Sequence, residues 1–205
     1  MNFEFSADQM QLKDIARKFL EKENAVKRAR NVLEGEESFD ENLWQQIIEM
    51  GFTATAIPEE YGGLGLGYLE LCVIAEELGR SLAPTPFSSS VYLATEAILN
   101  SGDDSLKQNY LPSLANGEKI GSFAHSESNT SPTESNIQCN VSGNALSGKK
   151  IAVVDGDISN FFVVSAKNGS NVGLYLVDAS SDGVGIERQP TLDPSRSHAS
   201  VIFEN

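Results

Sequence analysis

Between residues 6 and 114 apolar positions recur at helical spacing; beyond about residue 120 that spacing is lost. Ser6 and Gln9 stand three apart, as in a capping box that closes the first turn of a helix. Leu12, Ile15, Ala16, Phe19 and Leu20 then form one apolar stripe, which predicts a helix running to about Arg30. The polar run Glu34-Gly35-Glu36-Glu37 breaks it. Asp40 reads as the next N-cap, with Leu43, Trp44, Ile47 and Ile48 on one face. Gly51 ends that helix, because glycine takes the left-handed conformation without a Cβ clash. Further helices are predicted over about Tyr68–Leu78, Ser88–Leu99 and Ser105–Leu114.

After Gly121 short β-branched and aromatic runs alternate with turn residues. Ile151–Val154, Phe161–Ala166, Leu174–Val177 and Val201–Phe203 read as strands, with turns at Asn168-Gly169 and Asp182-Gly183. Helices followed by strands imply segregated packing and not a βαβ sheet. The fold class is therefore α+β: an all-helical N-terminal domain, residues 1–118, followed by an antiparallel β-barrel or sandwich-like middle domain. That middle domain takes residues 119–205 and is expected to be incomplete at its C-terminal end.

Composition narrows the function classes. The 205 residues carry 29 acidic and 15 basic side chains, a formal charge of -14. A phosphate-backbone partner needs clustered Lys and Arg, so nucleic-acid binding is excluded as a reading. No apolar run reaches the ~18–20 residues that crossing a bilayer requires. The start, Met1-Asn2-Phe3-Glu4-Phe5, lacks the basic and then apolar regions of a signal peptide, and a cytoplasmic protein is expected. Cys72 and Cys139 have no metal-like spacing and read as reduced thiols.

Candidate chemistry is sparse. Gly62-Gly63-Leu64-Gly65-Leu66-Gly67 does not have the G-x-G-x-x-G spacing between a strand and a helix that a dinucleotide fingerprint needs. A tight, close-packed loop is the better reading. His125 and His198 are the two histidines, and neither has the companions of a catalytic triad or zinc site. Ser126-Glu127-Ser128 by itself reads as a turn.

Taken in order, several stretches carry a resemblance. They are Ile57-Pro58-Glu59-Glu60-Tyr61-Gly62-Gly63-Leu64-Gly65, Glu76-Glu77-Leu78-Gly79-Arg80, Tyr110-Leu111-Pro112-Ser113-Leu114-Ala115-Asn116-Gly117-Glu118, Leu146-Ser147-Gly148-Lys149-Lys150 and Asp193-Pro194-Ser195-Arg196. Together they resemble the acyl-CoA dehydrogenase family over essentially the whole chain. The resemblance implies FAD as cofactor and an acyl-CoA thioester as substrate, dehydrogenated by α-proton abstraction with hydride transfer to the flavin. It also implies a homo- or hetero-oligomer with another such subunit and an electron-transfer flavoprotein as acceptor.

In the family, a Tyr-x-x-Thr-Glu-Pro segment lines the flavin ring and a following Gly-Ser-Asp reaches the pyrophosphate. The matching stretch is Phe123-Ala124-His125-Ser126-Glu127-Ser128, with Ser126 in place of the threonine and Phe123 lacking the tyrosine hydroxyl; Ser131 lies in the region of the missing Gly-Ser-Asp. The family's Trp-Ile-Thr wall corresponds to Ala152-Val153-Val154. The resemblance thus names Phe123, His125, Ser126, Ser131, Ala152, Val153 and Val154 as cofactor-binding positions and implies weakened FAD binding. The family's catalytic glutamate lies in a C-terminal helical domain, and no acidic residue here matches it by motif. The chain alone is expected to be inactive, as the degenerate subunit of a heteromeric enzyme such as those acting on steroid side-chain CoA thioesters. A homotetrameric enzyme with a divergent pocket and a non-catalytic assembly subunit are the other expectations.

Overall fold

The computed structural model describes residues 4–101, 103–130 and 133–204. The chain folds as two compact units, Met1–Thr85 with Ser101–Glu118, and Pro86–Asn100 with Lys119–Asn205.

The first unit is helical. Helix α1, Ala7–Lys22, opens on the capping box: Gln9 N–H donates to Ser6 Oγ (3.2 Å) and Ser6 N–H to Gln9 Oε1 (2.9 Å). Ala16 and Leu20 are buried, whereas Ile15 of the predicted stripe is exposed. The helix does not continue to Arg30. Asn24 turns left-handed (φ 54°), and α2, Ala25–Glu34, starts afresh. A short polar side chain tolerates that conformation better than most. Arg28 locks the break by donating to Glu23 O (2.9 Å) and pairing with Glu23 and Asp40.

Helix α3, Glu41–Glu49, is capped by Asp40, which accepts from Leu43 N–H (2.8 Å). It ends at Gly51 with φ 75°, as its residue type predicts. Helix α4, Tyr68–Arg80, packs on α1, and the buried Glu77 accepts from Arg17 through both oxygens (2.6 and 3.0 Å). The glycine loop folds onto its own chain. The amides of Gly63, Leu64, Gly65 and Leu66 donate to carbonyls of Pro58, Ala54, Ile57 and Thr55. A Cβ at Gly63 would collide with the Ile57 carbonyl, which is why glycine stands there. With those amides directed inward, the loop offers no cradle for a phosphate.

The second unit contains a π-helical segment, Ser88–Thr95, that runs on into α5, Glu96–Leu99. The helix predicted over this stretch is present, with its first part more widely wound than an α-helix. Helix α6, Asp104–Ala115, belongs to the first unit. Among the described residues seven strands follow: β1 Gly121–Ala124, β2 Asn140–Ser142, β3 Ala145–Val154, β4 Phe161–Asn168, β5 Asn171–Asp178, β6 Val184–Arg188 and β7 His198–Phe203. Their order is β1-β4-β2-β3-β7-β6, with β5 also paired to β4.

The α+β class is as expected, and the sheet is mixed. β1 runs parallel to β4, with Gly121 opposite Phe161 and Ala124 opposite Val164; β2 also meets β4 in parallel, at Asn140 and Lys167. The other pairings are antiparallel. β4 is buried from Phe161 to Ala166, which accounts for its unbroken apolar run, since a strand covered on both faces need not alternate. Ala124, Cys139, Val141, Leu146, Val153, Phe162, Val164, Ala166, Val201 and Phe203 pack together inside the sheet. β3 pairs with β2 at one end and β7 at the other, with a register shift between Lys150 and Val153.

Candidate functional site

The register shift in β3 lies where the two predicted cofactor segments run side by side. Ile151 N–H donates to Ser126 O (2.8 Å), and Ser122 Oγ donates to Val154 O (2.7 Å). On β1 the alternation puts Ala124 into the core while Phe123 and His125 share the other face, ring centroids 5.7 Å apart. At the bulge Ala152 stands exposed with φ 52° and Val154 is half-buried. Val153 is 1% exposed and packs in the core, so its side chain does not line the exposed face. Ser131 lies outside the described residues. The segment carrying Phe123, His125 and Ser126 thus runs beside the one carrying Ala152 and Val154.

Beneath them lies a polar network that motif reading passed over. Lys150 is 0% exposed, and its ammonium donates to Glu127 Oε1 (2.7 Å), His125 O (3.1 Å) and Ser165 Oγ (3.1 Å). Ser165 Oγ lies 2.7 Å from His125 Nδ1. Glu127 also accepts from the backbone amides of Gln138 and Cys139. Burial pushes the Glu127 carboxyl up, but the Lys150 ammonium and those amides outweigh it, and the net shift is downward. Cys139 is pushed up to about 12 by burial and stays a thiol.

At the other end of the bulge sits Asp155, 1% exposed and left-handed at φ 54°. Its Oδ2 accepts from Ser89 Oγ (2.6 Å) and Arg196 Nη2 (2.8 Å), and its own N–H donates to Ser197 O (2.9 Å). Burial raises its pKa, against the pull of Arg196 and Ser89. The sequence signals were a lysine inside an apolar strand and an aspartate directly after one. Neither says by itself that the group is buried.

Residues 6–118 match the family model for the N-terminal domain of acyl-CoA dehydrogenase. The chain belongs to the acyl-CoA dehydrogenase family. It is similar to the mitochondrial isovaleryl-CoA dehydrogenase of Arabidopsis thaliana, 32% identical over 183 residues, which is 85% of this chain and 44% of that protein. Among solved structures it resembles the ChsE4-ChsE5 complex from Mycobacterium tuberculosis, with a TM-score of 0.87 and 26% identity over 100% of this chain and 56% of the other. A variant of the Tcur3481-Tcur3483 steroid ACAD matches with a TM-score of 0.85 and 29% identity, over 96% of this chain and 55% of the other. The chain spans about half the length of the relatives it matches.

For an acyl-CoA dehydrogenase family member, the exposed bulge can be tested as a flavin wall. The backbone fits: two adjacent segments expose a short shelf, with the Phe123 and His125 rings beside the Ser126 end. Side chains supply less. Ala152 offers one methyl group and Val154 no hydroxyl, leaving Ser126 as the hydroxyl among the described residues named for the ring. Next to this shelf a cavity of about 440 Å³ is lined by Glu127, Ser128, Thr130, Asn136, Gln138 and Lys149. Among the described residues no group of His, Cys, Asp and Glu is placed to hold a metal ion, and no helix is long and apolar enough to cross a membrane.

Proposed function

We propose that this chain forms the helical and middle-β portion of a subunit in a heteromeric acyl-CoA dehydrogenase, in which a second family subunit supplies the competent flavin pocket. The observation that carries the reading is the exposed bulge. It keeps the backbone of a ring-binding wall while presenting Ala152 and Val154 where the family pattern has an aromatic and a hydroxyl. Likeness to the ChsE4-ChsE5 complex, which joins two differently named chains, supports the heteromeric form.

Bound FAD supplies the hydride acceptor for α,β-dehydrogenation of an acyl-CoA thioester. Of this chain's residues, Ser126 would offer its hydroxyl to the cofactor, the Phe123 and His125 rings would pack beside it, and the shelf would help exclude water. Each missing hydrogen bond to a buried flavin atom costs about 1–3 kcal/mol, and a lost aromatic contact a comparable amount. Several together take the subunit below stable retention of the cofactor. The base that removes the α-proton is assigned to the remainder of the enzyme, with an electron-transfer flavoprotein as the acceptor of the electrons.

The test is to purify the full-length protein alone and together with a second family chain from the same source. Alone it is expected to carry no visible flavin absorption band; with its partner the band appears and is bleached by an acyl-CoA. Stoichiometric FAD in the lone subunit refutes the proposal.

A further inference from the structure

The bulged stretch Ile151–Val154 lies between two buried charges of opposite sign. Lys150, directly before it, gives all three of its protons to acceptors on the β1 exit and on β4: His125 O, Glu127 Oε1 and Ser165 Oγ. Asp155, directly after it, is held by Ser89 and Arg196, and Arg196 Nη2 also reaches Ser88 Oγ (2.8 Å) in the π-helical segment. Between the two charges the register shifts and Ala152 takes a left-handed backbone conformation that most non-glycine residues avoid, while Asp155 takes one that a short polar side chain tolerates better. The conformation at Ala152 is unfavourable and persists only where the surroundings over-determine it.

Buried ion pairs are poor stabilisers; apolar residues of similar volume do as well or better in the same space. A core built for stability alone has no need of one on each side of a β-bulge. Placement is what the two charges have in common. We infer that Lys150 and Asp155 are positioning residues, two buried hydrogen-bonded clasps that hold the bulge of β3 in place and present Ala152 and Val154 to a planar ring ligand. The ligand rests on the flavin reading above; the clasping of the bulge does not.

The competing account is that backbone bonds suffice, namely Ile151 N–H to Ser126 O, Asp155 N–H to Ser197 O and Gly156 N–H to Val153 O. Amide hydrogen exchange in the ligand-free full chain separates the two, with the β4–β5 amides as internal reference. Lys150→Met and Asp155→Ala are expected to speed exchange at Ile151, Asp155 and Gly156 by at least about tenfold while β4–β5 keeps its protection. Asp155→Asn, whose amide oxygen still accepts from Ser89 and Arg196, is expected to restore most of the protection. Unchanged exchange over 151–156 in both disruptive variants overturns the inference. Where a variant loses protection throughout, Ser89→Ala removes a single hydrogen bond from the Asp155 carboxylate and decides in the same way.

The ligand half is read in an Ala152→Trp, Val154→Thr background titrated with FAD. Adding Asp155→Ala there is expected to abolish any gain in affinity. If the background binds FAD no better than the wild type, the flavin reading falls, and the exchange data still judge the clasps.

Discussion

At the scale of single residues, the proposed function turns on what Ala152 and Val154 lack. Ala152 occupies a left-handed position, which a bulky tryptophan adopts less readily than alanine, so the gain in affinity is read in a variant shown to be folded. An aromatic face beyond simple area burial contributes about 0.5–1.5 kcal/mol, and a hydroxyl at Val154 about the same for one hydrogen bond. The double variant Ala152→Trp, Val154→Thr is expected to tighten FAD binding at least about tenfold, equivalent to about 1.4 kcal/mol. Fluorescence quenching of added FAD measures it, and no gain would mean that the bulge is not the ring's wall. Motif order made these positions legible in the sequence, down to the adjacency of the two segments. It did not make Val153 legible: its side chain turns inward at the register shift, and no residue type signals that a bulge will fall between Lys150 and Val153. Lys150 was equally opaque, because a lysine is buried only when partners distant in sequence, here Glu127 and Ser165, supply its acceptors.

At the scale of elements, local chemistry was legible wherever a single residue forces the backbone. Ser6 with Gln9, Asp40 and Gly51 mark helix ends that the structure keeps. The break at Asn24 was missed because the apolar periodicity continues through it, and asparagine is a weaker stop than glycine or proline. β1, β2 and β6 were missed for a different reason. They are 4, 3 and 5 residues long, and their pairing depends on β4, β3 and β7, so no local pattern announces them. Gly148 shows how closely these segments approach. It lies at φ 141°, and a Cβ there would run into the sulfur of Cys139, the residue just before β2. Gly148→Ala is therefore expected to destabilise the second unit by at least about 1–3 kcal/mol, the usual result of forcing extra volume into a packed core. Urea unfolding checks this, and shortening Cys139 to alanine in the same chain is expected to recover part of the loss by opening space for the new methyl.

At the scale of the whole molecule, three carboxylates held by hydrogen bonds make stability depend on pH in two opposing ways. Glu77, bound first by Arg17, and Glu127, bound by Lys150 and two amides, have lowered pKa values. Their contribution is complete above the unfolded glutamate value of about 4.3 and is lost as pH falls through the folded values. Asp155 behaves in the reverse sense. Its pKa is raised by burial, so above about 3.9 the folded chain still holds a proton that the unfolded chain has released. Stability from this group falls as pH rises across that window. Unfolding by urea from about pH 3 to about pH 8 resolves the two, since the unfolding free energy rises with pH only where the unfolded state binds more protons. The wild type's advantage over Glu127→Gln is expected to grow as pH rises towards about 4.3 and then level. Its advantage over Asp155→Asn is expected to shrink as pH rises from about 3.9. Two difference curves sloping the same way would show that one of these carboxylates is not held as described. Opposite slopes would locate the acid-sensitive contribution at Glu127, the partner of Lys150, and the contribution that weakens with rising pH at Asp155.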